Sequence, residues 1–171
     1  EGHGELEDLA MADLVSTLEE DHLVTRVELD GRLGVLSEKL DGMRYRINRY
    51  DLLLVPKPTE PFSGKDRLIL DQFAMNGGRI LWMVDPILTD LDSLRDKQET
   101  YGVENPLGLY DQLFDYGVRL NRDLVIDPQC APIMLDAGPM GNQRNMQLFN
   151  WYFAPLSLPL GTGHPITNNL D

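Results

Sequence analysis

The chain has 171 residues, 42% of them apolar and 25% charged, and a formal net charge of −13. That length and balance fit one folded domain with a real core, and disorder is not the default reading. Twelve acids against Arg26, Arg32 and Lys39 give residues 1–42 a net charge of −9, a field that repels nucleic acid and anionic lipid and otherwise serves as a solvated face.

A single cysteine, Cys130, excludes an internal disulfide. No apolar run approaches the roughly 20 residues that span a bilayer; the longest are Leu52 to Val55 and Ile80 to Val84. The sequence starts at Glu1 with neither an initiator methionine nor a signal-peptide core, so it reads as a piece of a longer protein.

In chain order, Leu6, Leu9, Ala10, Leu14 and Leu18 share one stripe at helical spacing and predict an amphipathic helix over residues 6–20. Leu23 to Leu29 alternates with polar residues and stops at Asp30-Gly31, the pattern of a strand and a turn. A short helical crossover is expected from Ser37, and the run Tyr50 to Val55, apolar but for Asp51, predicts a strand covered on both faces. Pro56 to Ser63 is too rich in proline for anything but a loop. Ser63 with Asp66 three residues on makes a capping box for a helix ending at Gly77.

Two helix-to-strand units then follow one logic. The first runs from Asp71-Gln72-Phe73 to Gly77-Gly78, continues through Arg79 to Val84 and closes at Asp85-Pro86. After an excursion over residues 87–106, with a turn or two of helix over 91–97, the second runs from Asp111-Gln112-Leu113-Phe114 to Gly117. It turns through Asn121 and Arg122, and Leu124-Val125-Ile126 closes at Asp127-Pro128. Glycine suits the left-handed position just past a helix end, and proline cannot continue a sheet ladder. Such units in series imply a layered α/β domain with Asp85 and Asp127 at strand ends, the edge where open α/β sheets bind their ligands. Residues 128–147, rich in Pro, Gly, Asn and Met, are expected to form a long loop. Leu148 to Ala154 is expected to be a final strand, with Trp151 and Phe153 on one face, Tyr152 on the other and at least one face buried. The organisation expected is one α/β domain over 1–171 with an irregular, loop-rich region from 128.

The candidate ligand-binding residues gather at that edge. Gly2-His3-Gly4-Glu5 precedes the first helix, where Gly4 permits close backbone approach and His3 with Glu5 can meet a ligand; plain helix-start chemistry is the alternative. Lys57, Thr59 and Glu60 stand on the loop after the Tyr50 strand, where a lysine can hold an anionic or polyhydroxyl ligand; a rigid connector is the alternative. Asp85 and Asp127 can take sugar hydroxyls or a cation, or serve only as turn formers before proline. Three histidines without an i, i+4 pair give no metal signature. No phosphate loop is present, and no cofactor is expected.

Taken together, Gly2-His3-Gly4-Glu5, Pro58-Thr59-Glu60-Pro61-Phe62-Ser63, Asp71-Gln72-Phe73 with Asn76-Gly77-Gly78, Asp85-Pro86, Tyr116-Gly117-Val118-Arg119 and His164-Pro165-Ile166 give the chain a resemblance that spans nearly its whole length in order. It resembles the GldG family, the gliding-motility-associated auxiliary component of an ABC transporter in Bacteroidetes. The resemblance implies an extracytoplasmic domain on the periplasmic side of the inner membrane, anchored by segments outside this sequence and working with an ABC permease and ATPase. It implies a three-layer, mostly parallel sheet of flavodoxin-like or class I glutamine amidotransferase-like type, with carbohydrate binding suggested only by analogy. In that family a hydrophobic first strand precedes the Gly-His-Gly-Glu motif, and this sequence starts at the motif. The sheet is therefore expected to lack that strand here and to expose an edge open to self-association.

The function expected is a non-catalytic binding or assembly domain of a transporter linked to gliding motility or secretion, contacting a partner protein or a carbohydrate. The alternative is a hydrolase or amidotransferase-like enzyme using His3, Glu5 and Cys130, which needs nucleophile and base within reach. Gln129-Cys130-Ala131-Pro132 lacks the Gly-x-Cys-x-Gly context of a strand-to-helix nucleophile turn, which favours the non-catalytic role.

Overall fold

The computed structural model describes residues 2–39, 41–42, 46–89, 99–140 and 143–156. The turn of helix expected over 91–97 and the tail carrying His164-Pro165-Ile166 lie outside the described residues. The chain divides into two compact units, Glu1–Arg122 and Asp123–Asp171.

In the first unit α1 spans Asp8–Glu19, followed by the short strands β1, Ser37–Glu38, and β2, Ile47–Asn48, which pair antiparallel. Strands β3, Leu52–Pro56, and β4, Arg79–Met83, run parallel with Leu52 opposite Arg79 and Pro56 opposite Met83, and α2, Gly64–Met75, is the crossover between them. Strands β5, Ile87–Leu88, and β6, Val103–Glu104, pair antiparallel, and α3 spans Tyr110–Asp115.

The β3–α2–β4 unit forms where the sequence punctuates it. The Ser63 hydroxyl accepts the Asp66 N–H at 3.2 Å and caps α2. Asp66, Ile69, Leu70 and Phe73 follow at i, i+3, i+4 and i+7, so one face of α2 is buried. At its other end the Gly77 N–H donates to Ala74 C=O and the Gly78 N–H to Phe73 C=O. The same pair of bonds closes α3, from Gly117 to Phe114 and from Val118 to Leu113. Gly77 and Gly117 have φ of 88° and 89°, the left-handed residue that this helix ending requires. Ile69, Leu70 and Phe73 pack with Val55 of β3, with Phe62, and with Leu107, Leu109 and Leu113 around α3. Full burial of one such side chain stabilises by about 1.5–3 kcal/mol.

Several expectations are corrected. The first helix buries Met11, with Val15 and Leu18 half-buried, and leaves Leu9 89% exposed; the stripe in use is i, i+4, i+7 from Met11. Leu23 to Leu29 carries no ladder, although Val27 and Leu29 pack against the core as alternate residues. Ser37 opens a strand rather than a helical crossover. β3 is only partly covered, with Leu52 half-exposed, because among the described residues β4 is its one strand partner. Leu124 to Ile126 forms no strand and is exposed, so only the first of the two helix-to-strand units is built.

The second unit overturns the long loop expected over 128–147. Strand β7, Cys130–Met140, and strand β8, Gln143–Pro155, form one antiparallel ribbon. Its prolines are tolerated because the register shifts between Cys130 and Pro132 and again between Asp136 and Pro139; bulges accept a residue that cannot donate to the ladder. Trp151 and Phe153 share a face, ring centroids 5.5 Å apart, as alternation requires. Neither face is buried, however: Tyr152 and Phe153 are about half-exposed and Trp151 is intermediate.

Candidate functional site

Backbone bonds fasten the segment Gly2 to Leu6 onto the loop that leaves β3. The His3 C=O accepts the N–H groups of Thr59 and Glu60, both at 2.8 Å, the Thr59 hydroxyl donates to Gly4 C=O at 3.0 Å, and the Leu6 N–H donates to Pro56 C=O at 3.1 Å. Gly4 makes this approach feasible: its φ is +67° and a Cβ would overlap Thr59 Oγ1. The structure thus brings Gly2, His3, Gly4, Glu5, Lys57, Thr59 and Glu60 to the carboxyl end of β3.

His3 is the buried centre of this tie, at 4% exposure. Its ring stacks on Phe62 with centroids 3.9 Å apart and planes 10° from parallel. Its Nε2 lies 3.5 Å from Asp66 Oδ2 and its Nδ1 3.7 Å from Glu5 Oε1. Glu5 stands three residues before α1, and its carboxylate accepts the His3 N–H at 2.9 Å; it is an anchor for the segment and not a helix-start charge.

Asp66 has a wider role than the capping box foretold. Its Oδ1 accepts the Gly31 N–H at 2.9 Å and its Oδ2 accepts the Ser63 hydroxyl at 2.5 Å. Burial pushes its carboxyl upward, but the Ser63 and Gly31 hydrogen bonds and His3 outweigh this, and the net shift is below the usual aspartate range.

Asn105 closes the other side of the edge. It is fully buried, and its Nδ2 donates to Pro58 C=O at 3.0 Å and Asp85 C=O at 2.9 Å, joining the loops after β3 and β4. Nothing in the local sequence announced it: Glu104-Asn105-Pro106 reads as an ordinary loop, and its partners are 47 and 20 residues away. The Lys57 ammonium lies 3.0 Å from Asp85 Oδ2, with both side chains about half-exposed. A pair that open to water stabilises by about 0–1 kcal/mol, so both charges stay accessible to a ligand or partner. The cavity beneath, lined by Glu5, Val27, Leu53 and Phe62 among others, is about 20 Å³, room for one water and no organic ligand.

Asp127 belongs to the second unit. Its N–H donates to Tyr152 C=O at 2.9 Å and its Oδ1 accepts the Gln129 N–H at 2.8 Å, the turn-forming role of Asp before Pro. Cys130 opens β7 opposite Pro155 and sits on no strand-to-helix turn. The Ser63 hydroxyl donates to Asp66 and not to His3, so the buried cluster contains no base-activated nucleophile. Among the described residues no group of three or more His, Cys, Asp or Glu is placed to hold a metal.

Comparison with curated proteins gave no match, and comparison with solved structures gave none. A family model does match, over residues 1–171. The chain belongs to that family, the ABC transporter auxiliary components described as an ABC-type uncharacterized transport system.

Proposed function

We propose that this chain is a non-catalytic, extracytoplasmic binding or assembly domain of its ABC transport complex, and that the edge at the carboxyl ends of β3 and β4 is its contact surface. The observation that carries this is the tie of Gly2–Leu6 to the Lys57–Glu60 loop, together with the Asn105 clip to Asp85. Four chain segments distant in sequence are fixed there in one arrangement, with Lys57, Glu60 and Asp85 facing water around it. Such preorganisation lowers the ordering cost of binding. The cavity behind it is water-sized, which favours a surface contact with a partner protein over an enclosed ligand; a carbohydrate lying across the edge is the second occupant.

The permease and ATPase of the same system are the partners this role requires. The finer assignment, a gliding-motility or secretion complex of Bacteroidetes, rests on the GldG resemblance, whose residues Gly2 to Glu5, Thr59 and Asp85 are those at the edge. The same resemblance supports a periplasmic position, with anchoring segments outside this sequence; no described helix is long and apolar enough to cross a membrane. The β3–α2–β4 crossover is the unit that a three-layer, flavodoxin-like sheet repeats, and we assign the chain to that architecture, with the strand edge left unpaired among the described residues available to a second copy. The hydrolase or amidotransferase-like alternative draws no support from His3, whose ring nitrogens face carboxylates and no nucleophile.

The test is isolation of the intact membrane protein from its native cell and identification of what copurifies. An ABC ATPase and permease are expected; their reproducible absence removes the proposal.

A further inference from the structure

Among the described residues Lys57 is the one non-glycine in the left-handed region, with φ of 48°. Two effects oppose that conformation. A Cβ crowds the carbonyl oxygen that follows it, and the residue before a proline, here Pro58, is driven towards φ of about −120°.

The fold holds Lys57 there from both sides. Its N–H donates to Met83 C=O at 2.7 Å, one residue past the end of β3, and the preceding Pro56 C=O accepts the Leu6 N–H at 3.1 Å. On the other side Pro58 is fully buried and its C=O accepts from Asn105 Nδ2 at 3.0 Å. Between these anchors the backbone sets the Lys57 ammonium 3.0 Å from Asp85 Oδ2.

Magnitudes separate a structural role for this lysine from a contact role. A left-handed residue other than glycine lowers the folding equilibrium about fivefold or more. An ion pair whose side chains are both about half-exposed returns about fivefold at most. Glycine satisfies the same backbone without strain, so stability does not account for a lysine at this position. Strain that the surrounding fold over-determines gathers at ligand clamps and contact sites. We propose that Lys57 is the specificity-determining residue of the β3–β4 edge, its strained backbone fixing the ammonium where the transport complex meets it. Asp85 takes one of the three ammonium donors, which leaves two for oxygen acceptors such as main-chain carbonyls of a partner polypeptide. The inference rests on the reading of that edge as the contact surface and adds which residue carries the recognition.

The test has two arms. Stability is read in the 171-residue chain by urea denaturation followed by Trp82 in a Trp151→Phe background. Contact is read as recovery of the ABC ATPase and permease with the intact membrane protein from its native cell. The folding equilibrium of Lys57→Gly should exceed that of Lys57→Ala about fivefold; at an unstrained position the order is reversed. Both variants should recover about fivefold less of the two subunits than wild type, so the loss follows the side chain and not the added freedom of glycine. Lys57→Arg, which returns the donors, should recover about threefold more than Lys57→Gly. A Lys57→Ala chain as stable as Lys57→Gly contradicts the strain, and full recovery by Lys57→Gly contradicts the contact role. Either result overturns this inference and leaves the edge to Glu60 and Asp85. Recovery of neither subunit by wild type removes the edge as the contact surface, and this inference with it.

Discussion

In the Glu1–Arg122 unit, α2 brings Ile69, Leu70 and Phe73 into a core with Val55, Phe62 and Leu113, and loops are pinned to that core by Asn105 and Asp66. In the Asp123–Asp171 unit, no side chain described between residues 123 and 156 is buried, and two long strands are held by their ladder and by neighbours such as Trp151 and Phe153. A backbone ladder can therefore organise a segment that the hydrophobic effect does not. A two-stranded ribbon of this kind is marginal by itself, whereas a packed βαβ unit can hold a functional edge rigidly. The candidate site is accordingly on the packed unit.

The two tryptophans allow each unit to be followed separately, Trp82 in the first and Trp151 in the second. The largest effect is expected from Phe73→Ala, at 1% exposure, which costs about 3–5 kcal/mol in urea denaturation followed by Trp82 in a Trp151→Phe background. The Trp151 transition, read in a Trp82→Phe background, moves much less; coincident shifts break the comparison. Gly4→Ala comes next, at about 1–3 kcal/mol, because it combines a left-handed φ with overlap on Thr59. Hydrogen exchange sharpens it: the Thr59 and Glu60 amides, which bond the His3 carbonyl, lose protection while α2 keeps its own.

Acid provides a smaller, directional effect. The Asp66 carboxyl is lower in the folded chain than the ordinary value of about 3.9, so its stabilising contribution is complete above that value. It is lost as pH falls through the folded value. Denaturation midpoints from Trp82 should fall in that acid range, and Asp66→Asn should flatten that part of the profile; an unchanged slope contradicts the assignment. The smallest effect belongs to the ribbon surface. Leu148, at 66% exposure, should accept lysine with a change within about 0.5 kcal/mol by Trp151 fluorescence, and a larger loss means that something covers that face.

What the sequence disclosed was local. Ser63 and Gly77 delimit α2 through bonds to residues within a few positions, and Gly117 ends α3 in the same way. The ribbon was hidden because Pro132, Gly138 and Pro139 read as loop residues, and what rescues them is non-local pairing with bulges. Asp85 stands near the end of β4 as its position implied, but Asp127 does not follow a strand, because Leu124 to Ile126 has no strand partner among the described residues. At the site the Gly2–Glu5 and Lys57–Glu60 segments were legible as motifs. Asp66 was visible only as a cap, and Asn105 not at all, since each acts through partners dozens of residues away.

The central claim is that the edge at the carboxyl ends of β3 and β4 contacts the transport complex. Its most direct test is copurification of the ABC ATPase and permease with the intact protein carrying Lys57→Glu and Glu60→Arg, compared with wild type. Both positions are exposed, so the variant should melt like wild type and recover at least about tenfold less of the two subunits. Equal recovery by a folded variant would contradict the claim.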